Sequence, residues 1–439
     1  MGEPSVKKQS IAIDPAEFKI GWRVLIMALI GTATSVSTAP LYSFGTFVVP
    51  MQEAFDWSRG EVQAAISMIF ACSVIAAPVA GWLNKRFGLR PVALVSLVTL
   101  PLGYLAMTLN TGSIVLLYAG YGMLAFAGMG TLTTTWTHCV NLWFDKNRGL
   151  ALAFMLCGTG LSGLVLPPLV TAAIEAWGWQ AGFYTLAGLT SLITLPMACF
   201  WMSSSGPVGD SKASRKGSGG ARALPGETLG EALKTPRLWL CNIGLTLPVM
   251  AMIGIVSSGV PMLIDGGLTA TEAANTFSVY GISLILGRVV VGYLVDRIWA
   301  PGVAFFTLIM PAFGCAIFYF VQGEIPWLIL GAILVGIGAG AEMDLAAFLM
   351  SRYFGMRDYS RVFAFHFGFI SVFATVTPIL FAFMYEWVQG HSAMLIFSMV
   401  SFVVGSTLLL AMGRYPNFEL TTQEKEQNAR MDNKQAQPV

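Results

Sequence analysis

Runs of apolar residues long enough to cross a membrane dominate the pattern of this chain. A helix needs about 20 apolar residues to span the ~30 Å hydrocarbon core of a bilayer. The chain contains a series of such runs. The predicted spans, numbered one to twelve, are residues 21–49, 60–83, 91–109, 113–140, 149–175, 178–202, 238–264, 270–295, 301–321, 325–351, 360–386 and 392–413. The pattern predicts an all-α membrane protein with twelve transmembrane helices.

Composition agrees with this pattern and excludes several classes of protein. Of the 439 residues, 55% are hydrophobic and only 11% are charged, whereas a soluble domain has about 25% charged residues. A net charge of +2 leaves no basic excess for binding nucleic acid. The six cysteines lie singly in apolar runs, which argues against a disulfide framework and a zinc site. The first run is too long for a signal peptide and lacks a small-residue cleavage site, so no cleavable signal is predicted.

Lysine and arginine divide unequally between the two ends of the predicted helices. With the N-terminus inside, 23 of the 25 cationic residues lie on cytoplasmic segments, which leaves Arg59 exposed in an outer loop and Arg288 within span eight. This asymmetry follows the positive-inside rule and places both termini in the cytoplasm. The outer loops carry acids instead: Glu53, Asp56, Glu61, Glu175, Asp265, Glu272, Glu324 and Glu386.

A polar stretch divides the spans into two sets of six. Residues 203–235 are rich in Ser, Gly, Lys and Arg and cannot bury a core, so they predict a flexible cytoplasmic linker. The other predicted units are a cytoplasmic N-terminal tail, 1–20, a six-helix bundle, 21–202, a second bundle, 236–414, and a cytoplasmic C-terminal tail, 415–439.

The two sets of spans also repeat short motifs. After spans two and eight stand GWLNKR (81–86) and GYLVDR (292–297), and after spans four and ten stand WF (143–144) and YF (353–354). Two pseudo-symmetric six-helix bundles around a central cavity are typical of secondary transporters.

Several longer segments resemble one transporter family. GWLNKRFGLR (81–90) resembles the G-x-x-x-D-R-x-G-R-R signature of the major facilitator superfamily. The segments that resemble its bacterial monocarboxylate transporter and oxalate:formate antiporter branch are GWRV (21–24), LYSFGTFVVPMQEAFDWSRGEVQ (41–63), WFDKNRGLALAFMLCGTG (143–160) and GWQAGFYTLAG (178–188). The resemblance implies the major facilitator fold and a place in the bacterial cytoplasmic (inner) membrane.

The chain departs from this branch at three places that concern gating and coupling. Asn84 replaces the Asp of the signature, which we expect to weaken a cytoplasmic gate contact, while Asp296 retains it in the second half. Leu284 stands where animal monocarboxylate carriers have an Asp, and no Lys follows Arg361 in span eleven as in oxalate antiporters. Neither coupling scheme therefore transfers intact. The predicted gate residues are Asn84, Arg86, Arg90, Arg148, Asp296, Arg297 and Arg361.

Arg288 is the candidate substrate-binding residue. It lies within span eight about 12 Å from the cytoplasmic end, where a charge costs at least ~2.5 kcal/mol, so it should face the cavity. A guanidinium group matches a carboxylate in a bidentate geometry, and the family resemblance implies this role. The alternative is a structural ion pair with an acid on a neighbouring helix.

Three further titratable residues within spans are candidates for proton coupling. Glu342 and Asp344 lie in span ten, and because they are two residues apart they cannot share one helix face. A buried carboxyl group can exchange protons near neutral pH. We favour Glu342 as the proton carrier and leave structural gating open for both. His366 in span eleven can titrate in the physiological range, or it can be a hydrogen-bonded packing residue.

Hydroxyl and amide side chains form three polar strips that could line the cavity. Ser35, Thr38 and Tyr42 follow an i, i+3, i+7 spacing in span one and predict one helix face. Asn242 and Thr246 form a second strip in span seven, and Thr134 belongs to a third in span four. The alternative for each is hydrogen bonding between helices.

Other chemistry finds no support in the sequence. GTGLSG (158–163) fits a dinucleotide fingerprint, but it lies inside an apolar span without a preceding strand, so we interpret its glycines as sites of close helix packing. A membrane enzyme would need a set of catalytic residues, and a receptor would need an additional soluble domain. We therefore predict a monomeric secondary carrier, without metal or cofactor, that transports a small organic carboxylate, a monocarboxylate, together with a proton. Carboxylate exchange is the alternative.

Overall fold

The fold of the chain is a bundle of long helices, seen here in a computed structural model. The structure describes residues 15–144, 146–203, 226–295, 297–321, 323–355 and 357–416. The N-terminal half contains α1 (Pro15–Ala33), α2 (Ala39–Phe55), α3 (Arg59–Phe87), α4 (Leu89–Met107), α5 (Ile114–Ala127), α6 (Thr133–Trp143), α7 (Arg148–Trp177), α8 (Trp179–Leu189) and α9 (Leu195–Trp201). The C-terminal half contains α10 (Leu229–Ala232), α11 (Pro236–Asp265), α12 (Ala270–Val295), α13 (Ala300–Phe320), α14 (Ile325–Phe354), α15 (Tyr359–Val388) and α16 (Ser392–Leu410).

Ten of the predicted spans are long, apolar helical stretches, with α8 and α9 joined into one of them by a π-helical turn, Thr190–Thr194. The predicted spans one and four are each interrupted, as α1 with α2 and as α5 with α6. We call the end of the bundle where α1 begins and α16 ends the terminal face, and the opposite end, which holds Arg59 and His391, the far face. The all-α membrane class is confirmed.

The break in span one contradicts the continuous helix face that we predicted for Ser35, Thr38 and Tyr42. Residues 34–38 are not helical. Pro40 has no N–H group and its ring excludes the carbonyl group four residues earlier, which disfavours a helix through this segment. The hydroxyl groups in the break bond locally instead, with Ser35 Oγ donating to Thr38 Oγ1 at 2.9 Å.

The break in span four lies directly against the break in span one. Gly128 and Gly130 weaken the helix there, and a 3-10 turn follows at Met129–Thr131. The Val36 N–H group donates to Thr131 Oγ1 at 3.1 Å, so each break supplies a partner for the other. Broken helices are tolerated in a membrane where protein satisfies the freed backbone groups.

The described end of the predicted linker is folded. Residues 226–235 include α10, which begins with a capping box formed by Thr228 and Glu231. The Glu227 N–H group donates to the Phe354 carbonyl at 2.8 Å, and the Leu229 N–H group donates to Asp358 Oδ2 at 3.0 Å. Residues 226–235 therefore dock onto the C-terminal half before α11 begins, whereas residues 204–225 of the predicted linker lie outside the described residues.

The two halves meet mainly along three pairs of helices, α7 with α12, α3 with α15 and α2 with α11. Gly160 and Gly281 allow the first pair to approach closely, because a Cβ atom on Gly281 would overlap the Gly160 carbonyl oxygen and the Leu164 nitrogen. Within the GTGLSG segment, this places Gly160 at a close helix contact, as we predicted.

Candidate functional site

Arg288 forms an ion pair with Asp344 near the middle of the C-terminal half. Arg288 Nε donates to Asp344 Oδ2 at 3.2 Å, and the arginine side chain is only 5% exposed while the aspartate is 29% exposed. Gly340 allows this contact between α12 and α14, because a Cβ atom there would lie 2.7 Å from the Arg288 backbone nitrogen. The ion pair that we had left open as an alternative for Arg288 is therefore present.

The guanidinium group of Arg288 also crosses to the N-terminal half. Its Nη1 group donates to the Leu156 carbonyl on α7 and lies 3.3 Å from Thr159 Oγ1. A guanidinium group has five N–H donors, and these contacts and the Asp344 contact involve only Nε and Nη1. Arg288 therefore joins the halves and keeps donors on Nη2 for a further acceptor.

Glu342 and two tyrosines lie beside this pair. The Glu342 Oε2 atom is buried without a hydrogen-bond partner among the described residues. Tyr42 of the N-terminal half lies against Tyr280 of α12, with ring centroids 6.0 Å apart. Glu342 and Arg288 are both close enough to Tyr42 to interact with it electrostatically. The structure thus gathers Arg288, Glu342, Asp344 and Tyr42 in one region.

Tyr280 was not predicted from the sequence. It lies on α12 eight residues before Arg288, within the stripe that residues i and i+8 share on a helix. That spacing was the available signal, but a tyrosine among apolar residues is more often a core residue. Its contact with Tyr42 depends on a helix of the other half.

A second polar cluster lies between α11 and α15. His366 Nδ1 is 2.6 Å from Asn242 Oδ1, and both side chains are buried. The Asn242 Nδ2, Thr246 Oγ1 and His366 Nε2 atoms have no partner among the described residues. Of the predicted strip, Asn242 therefore pairs with His366 inside the C-terminal half.

The remaining hydroxyl candidates are not gathered at Arg288. Ser35 and Thr38 are buried in the break of span one and bond to each other. Thr134 is exposed on α6. Their substrate roles stay predictions.

The predicted gate residues of the terminal face make no contact with one another across the halves in the described part of the chain. Asn84 Oδ1 is buried without a partner, Arg90 donates to the Cys199 carbonyl at 2.9 Å, and Arg297 covers the Tyr293 ring. The other cations are Arg86 over the Trp82 ring, Arg148, which is exposed, and Arg361, which is 77% exposed and 3.7 Å from Asp358. Asp296 lies outside the described residues.

A gate at the far face was not predicted. Arg59 donates from two nitrogens to the carboxylate of Asp265 on α11, and His391 Nε2 lies 2.9 Å from Asp265 Oδ2 and 3.1 Å from Arg59 Nη1. We call these three residues the latch. Our expectation that Arg59 is exposed was wrong, because its side chain is only 6% exposed. Burial holds the pKa of His391 below its usual value, although Asp265 opposes this shift.

Three further hydrogen bonds join the halves toward the far face. They run from Ser58 Oγ to Glu386 at 3.2 Å, from Thr271 Oγ1 to Glu175 at 2.7 Å and from Gln63 Nε2 to Ser258 Oγ at 3.0 Å. Together with the latch and the contacts of Arg288, these bonds join the halves from the far face to the middle of the bundle.

Comparison with known proteins agrees with this architecture. The sequence description of the Major Facilitator Superfamily matches residues 24–308 and 245–436. Human monocarboxylate transporter 11 is 25% identical over 348 residues, covering 74% of this chain and 69% of the relative. Monocarboxylate transporter 13 of Bos taurus is 27% identical over 289 residues, covering 66% of this chain and 64% of the relative. The MFS-type transporter YhjX of Escherichia coli (strain K12) is 25% identical, covering 76% and 82%.

Solved structures show the same fold at low sequence identity. The nucleoside transporter NupG superposes with a TM-score of 0.70 at 14% identity, covering 90% of this chain and all of that one. A bacterial homologue of the human lysosomal transporter Spinster, solved in an inward-facing and unoccupied conformation, gives a TM-score of 0.64 at 14% identity, covering 91% and 96%. With two six-span halves that meet at Arg288, the chain belongs to the major facilitator superfamily and is a multi-pass membrane transporter, not an enzyme.

Proposed function

We propose that this transporter carries a small organic carboxylate, a monocarboxylate, together with a proton, by alternating access. The observation that carries the proposal is Arg288, a buried cation at the contact between the halves. Relatives named as monocarboxylate transporters, at 25 to 27% identity, support the substrate class.

Arg288 binds the carboxylate in this proposal. Its Nη2 donors take no part in the contacts to Asp344, Leu156 and Thr159. They can therefore form a charge-assisted hydrogen bond with an incoming carboxylate. Because Arg288 contacts both halves, a substrate bound there bridges them as well. A ligand that contacts both halves can couple its own binding to their relative movement.

Glu342 carries the proton. An ionised carboxylate with an unpartnered buried oxygen is costly, so the neutral form of Glu342 suits its surroundings better. With Glu342 ionised, Arg288, Asp344 and Glu342 sum to −1 and repel an anion. With Glu342 protonated they sum to zero, so proton binding favours carboxylate binding and the reverse.

The terminal face is cytoplasmic in this proposal, in a bacterial inner membrane. The cation asymmetry supports it, and the latch then closes the side of the carrier that faces outward. A protease site inserted in residues 204–225 should resist protease added to intact cells and be cut after lysis. Cleavage in intact cells would reverse the orientation.

The experiment that tests the function combines binding and transport measurements on the purified protein. We expect small monocarboxylates to raise the melting temperature in a panel of carboxylic acids, because a ligand stabilises the state that it binds. In proteoliposomes, an inward proton gradient should drive accumulation of those ligands. Exchange of carboxylates without accumulation would show an antiporter instead, and no response to any carboxylate would contradict the proposal.

A further inference from the structure

We propose that His391 is a proton-binding site at the far face and that its protonation releases the latch between the two halves. The proposal rests on the alternating-access part of the proposed function and is independent of the substrate. It assigns to this histidine a role that the carboxylate site does not use.

With His391 neutral, the contacts of all three latch residues are compatible with one another. Arg59 belongs to the N-terminal half, whereas Asp265 and His391 belong to the C-terminal half. A guanidinium group only donates and a carboxylate only accepts. A neutral His391 Nε2 can therefore either accept from Arg59 or donate to Asp265, and neither choice opposes the ion pair between the halves.

Protonation changes this balance in one direction. Both nitrogens of the imidazolium donate, so Nε2 must donate to Asp265 and then stands as a cation 3.1 Å from Arg59 Nη1. Two cations compete for one carboxylate. The attraction between His391 and Asp265 acts within the C-terminal half, while the repulsion between His391 and Arg59 acts between the halves. The added proton therefore weakens the contact that closes the far face.

The other titratable groups around His391 leave this competition in place. The Tyr385 ring of α15 lies 4.9 Å from the imidazole ring, and the Arg59 guanidinium lies 4.6 Å over the same Tyr385 ring. Glu386 accepts a hydrogen bond from Ser58 of the N-terminal half. A cavity of about 590 Å³, lined by His391, Asp265, Tyr385 and Tyr319 of α13 among others, has room for water beside the ring.

The sign of the pH dependence follows from burial. In the closed latch, burial holds the pKa of His391 below its usual value. In an open latch the ring meets water and its pKa returns to about 6.5. Protons therefore bind the open form more tightly, and the closed form loses stability relative to the open form as the pH falls through about 6.5. In the orientation proposed above, an acidic exterior opens the carrier to the outside.

The distance between the far ends of the halves tests this proposal. Spin labels on Thr111→Cys and Glu324→Cys, with Cys72, Cys157 and Cys199 replaced by alanine, report that distance in substrate-free protein. We expect a longer distance to gain population from pH 8 to pH 5.5. The ratio of open to closed protein should rise by up to about tenfold for each pH unit between the two pKa values of His391.

Variants identify the titrating group. His391→Asn and His391→Gln can donate to Asp265 but take up no proton, so each should remove the pH response, while Glu386→Gln should keep it. Asp265→Asn should favour the longer distance at every pH. The response is measured without a carboxylate, which separates this proposal from the carboxylate site. A wild-type response in both His391 variants, or none in the parent protein, would overturn the proposal.

Discussion

Arg288 and Asp344 form an ion pair between α12 and α14, with Arg288 Nε 3.2 Å from Asp344 Oδ2. A carboxylate substrate must therefore share a cation that already has an anionic partner. The pair neutralises the buried guanidinium group, which lowers the cost of placing a charge in the membrane. We interpret Asp344 as a resident partner of Arg288 and Glu342 as the group that exchanges a proton.

Replacing Glu342 by glutamine should uncouple transport from protons. The amide keeps the size of the side chain but takes up no proton. We expect exchange of labelled carboxylate across proteoliposomes to persist, and accumulation driven by an inward proton gradient to fall at least tenfold. If Glu342→Gln still accumulates substrate, Glu342 does not carry the proton and His366 becomes the better candidate.

Replacing Asp344 by asparagine should lower stability and increase the response to ligand. Breaking the pair leaves Arg288 with one partner fewer, which we expect to cost about 2 kcal/mol. The melting temperature of the substrate-free variant should fall. A bound carboxylate then supplies the missing anion, so its stabilising effect should exceed that in the wild-type protein. An equal or smaller ligand-induced shift would contradict the competition between Asp344 and substrate.

Replacing Gly281 by alanine should separate α7 from α12. The added methyl group would overlap backbone atoms of the facing helix, and overpacking of this kind costs about 1 to 3 kcal/mol. Gly292→Ala is the matched control, because a Cβ atom there meets nothing within 4 Å. We expect Gly281→Ala to reduce both the melting temperature and transport, and Gly292→Ala to reduce neither. If the two variants behave alike, transport does not depend on the close contact between α7 and α12.

Replacing Thr131 by valine should destabilise the paired breaks of spans one and four. The valine is isosteric but leaves the buried Val36 N–H group without its acceptor, at a cost of about 1 to 3 kcal/mol. Thr185→Val is the control, since Thr185 Oγ1 bonds only the Ala181 carbonyl of its own helix. Thermal unfolding of the substrate-free proteins should separate the two variants. An unchanged melting temperature for Thr131→Val would show that the breaks do not depend on each other.

The sequence predicts most of the fold because the bilayer imposes length and polarity on each span. The sequence also identifies Arg288, Glu342 and Asp344 as candidates, because a charge inside an apolar run is costly unless it is paired or used in function. It does not show which acid pairs with Arg288, since the two acids differ only in their direction around α14. The prediction that Ser35 shares a helix face with later residues was wrong because it assumed an unbroken helix. Pro40 was the signal in the sequence for a break.

The latch could not be predicted for a different reason. Arg59 follows a short loop, and loop cations are usually exposed. Its burial depends on Asp265 and His391, which are 206 and 332 residues away along the chain. Contacts of this range depend on how the two halves are arranged, and hydrophobic periodicity carries no information about that arrangement.

Carboxylate binding by Arg288 is the central claim, and a paired binding measurement on two lysine variants tests it most directly. Arg288→Lys keeps the charge but loses the planar fork of donors, whereas Arg361→Lys changes an arginine that is 77% exposed. For the carboxylate that stabilises the wild-type protein most, we expect calorimetry to show at least tenfold weaker binding to Arg288→Lys and unchanged binding to Arg361→Lys. Wild-type affinity in Arg288→Lys, and again in Arg288→Ala, would show that the carboxylate binds elsewhere.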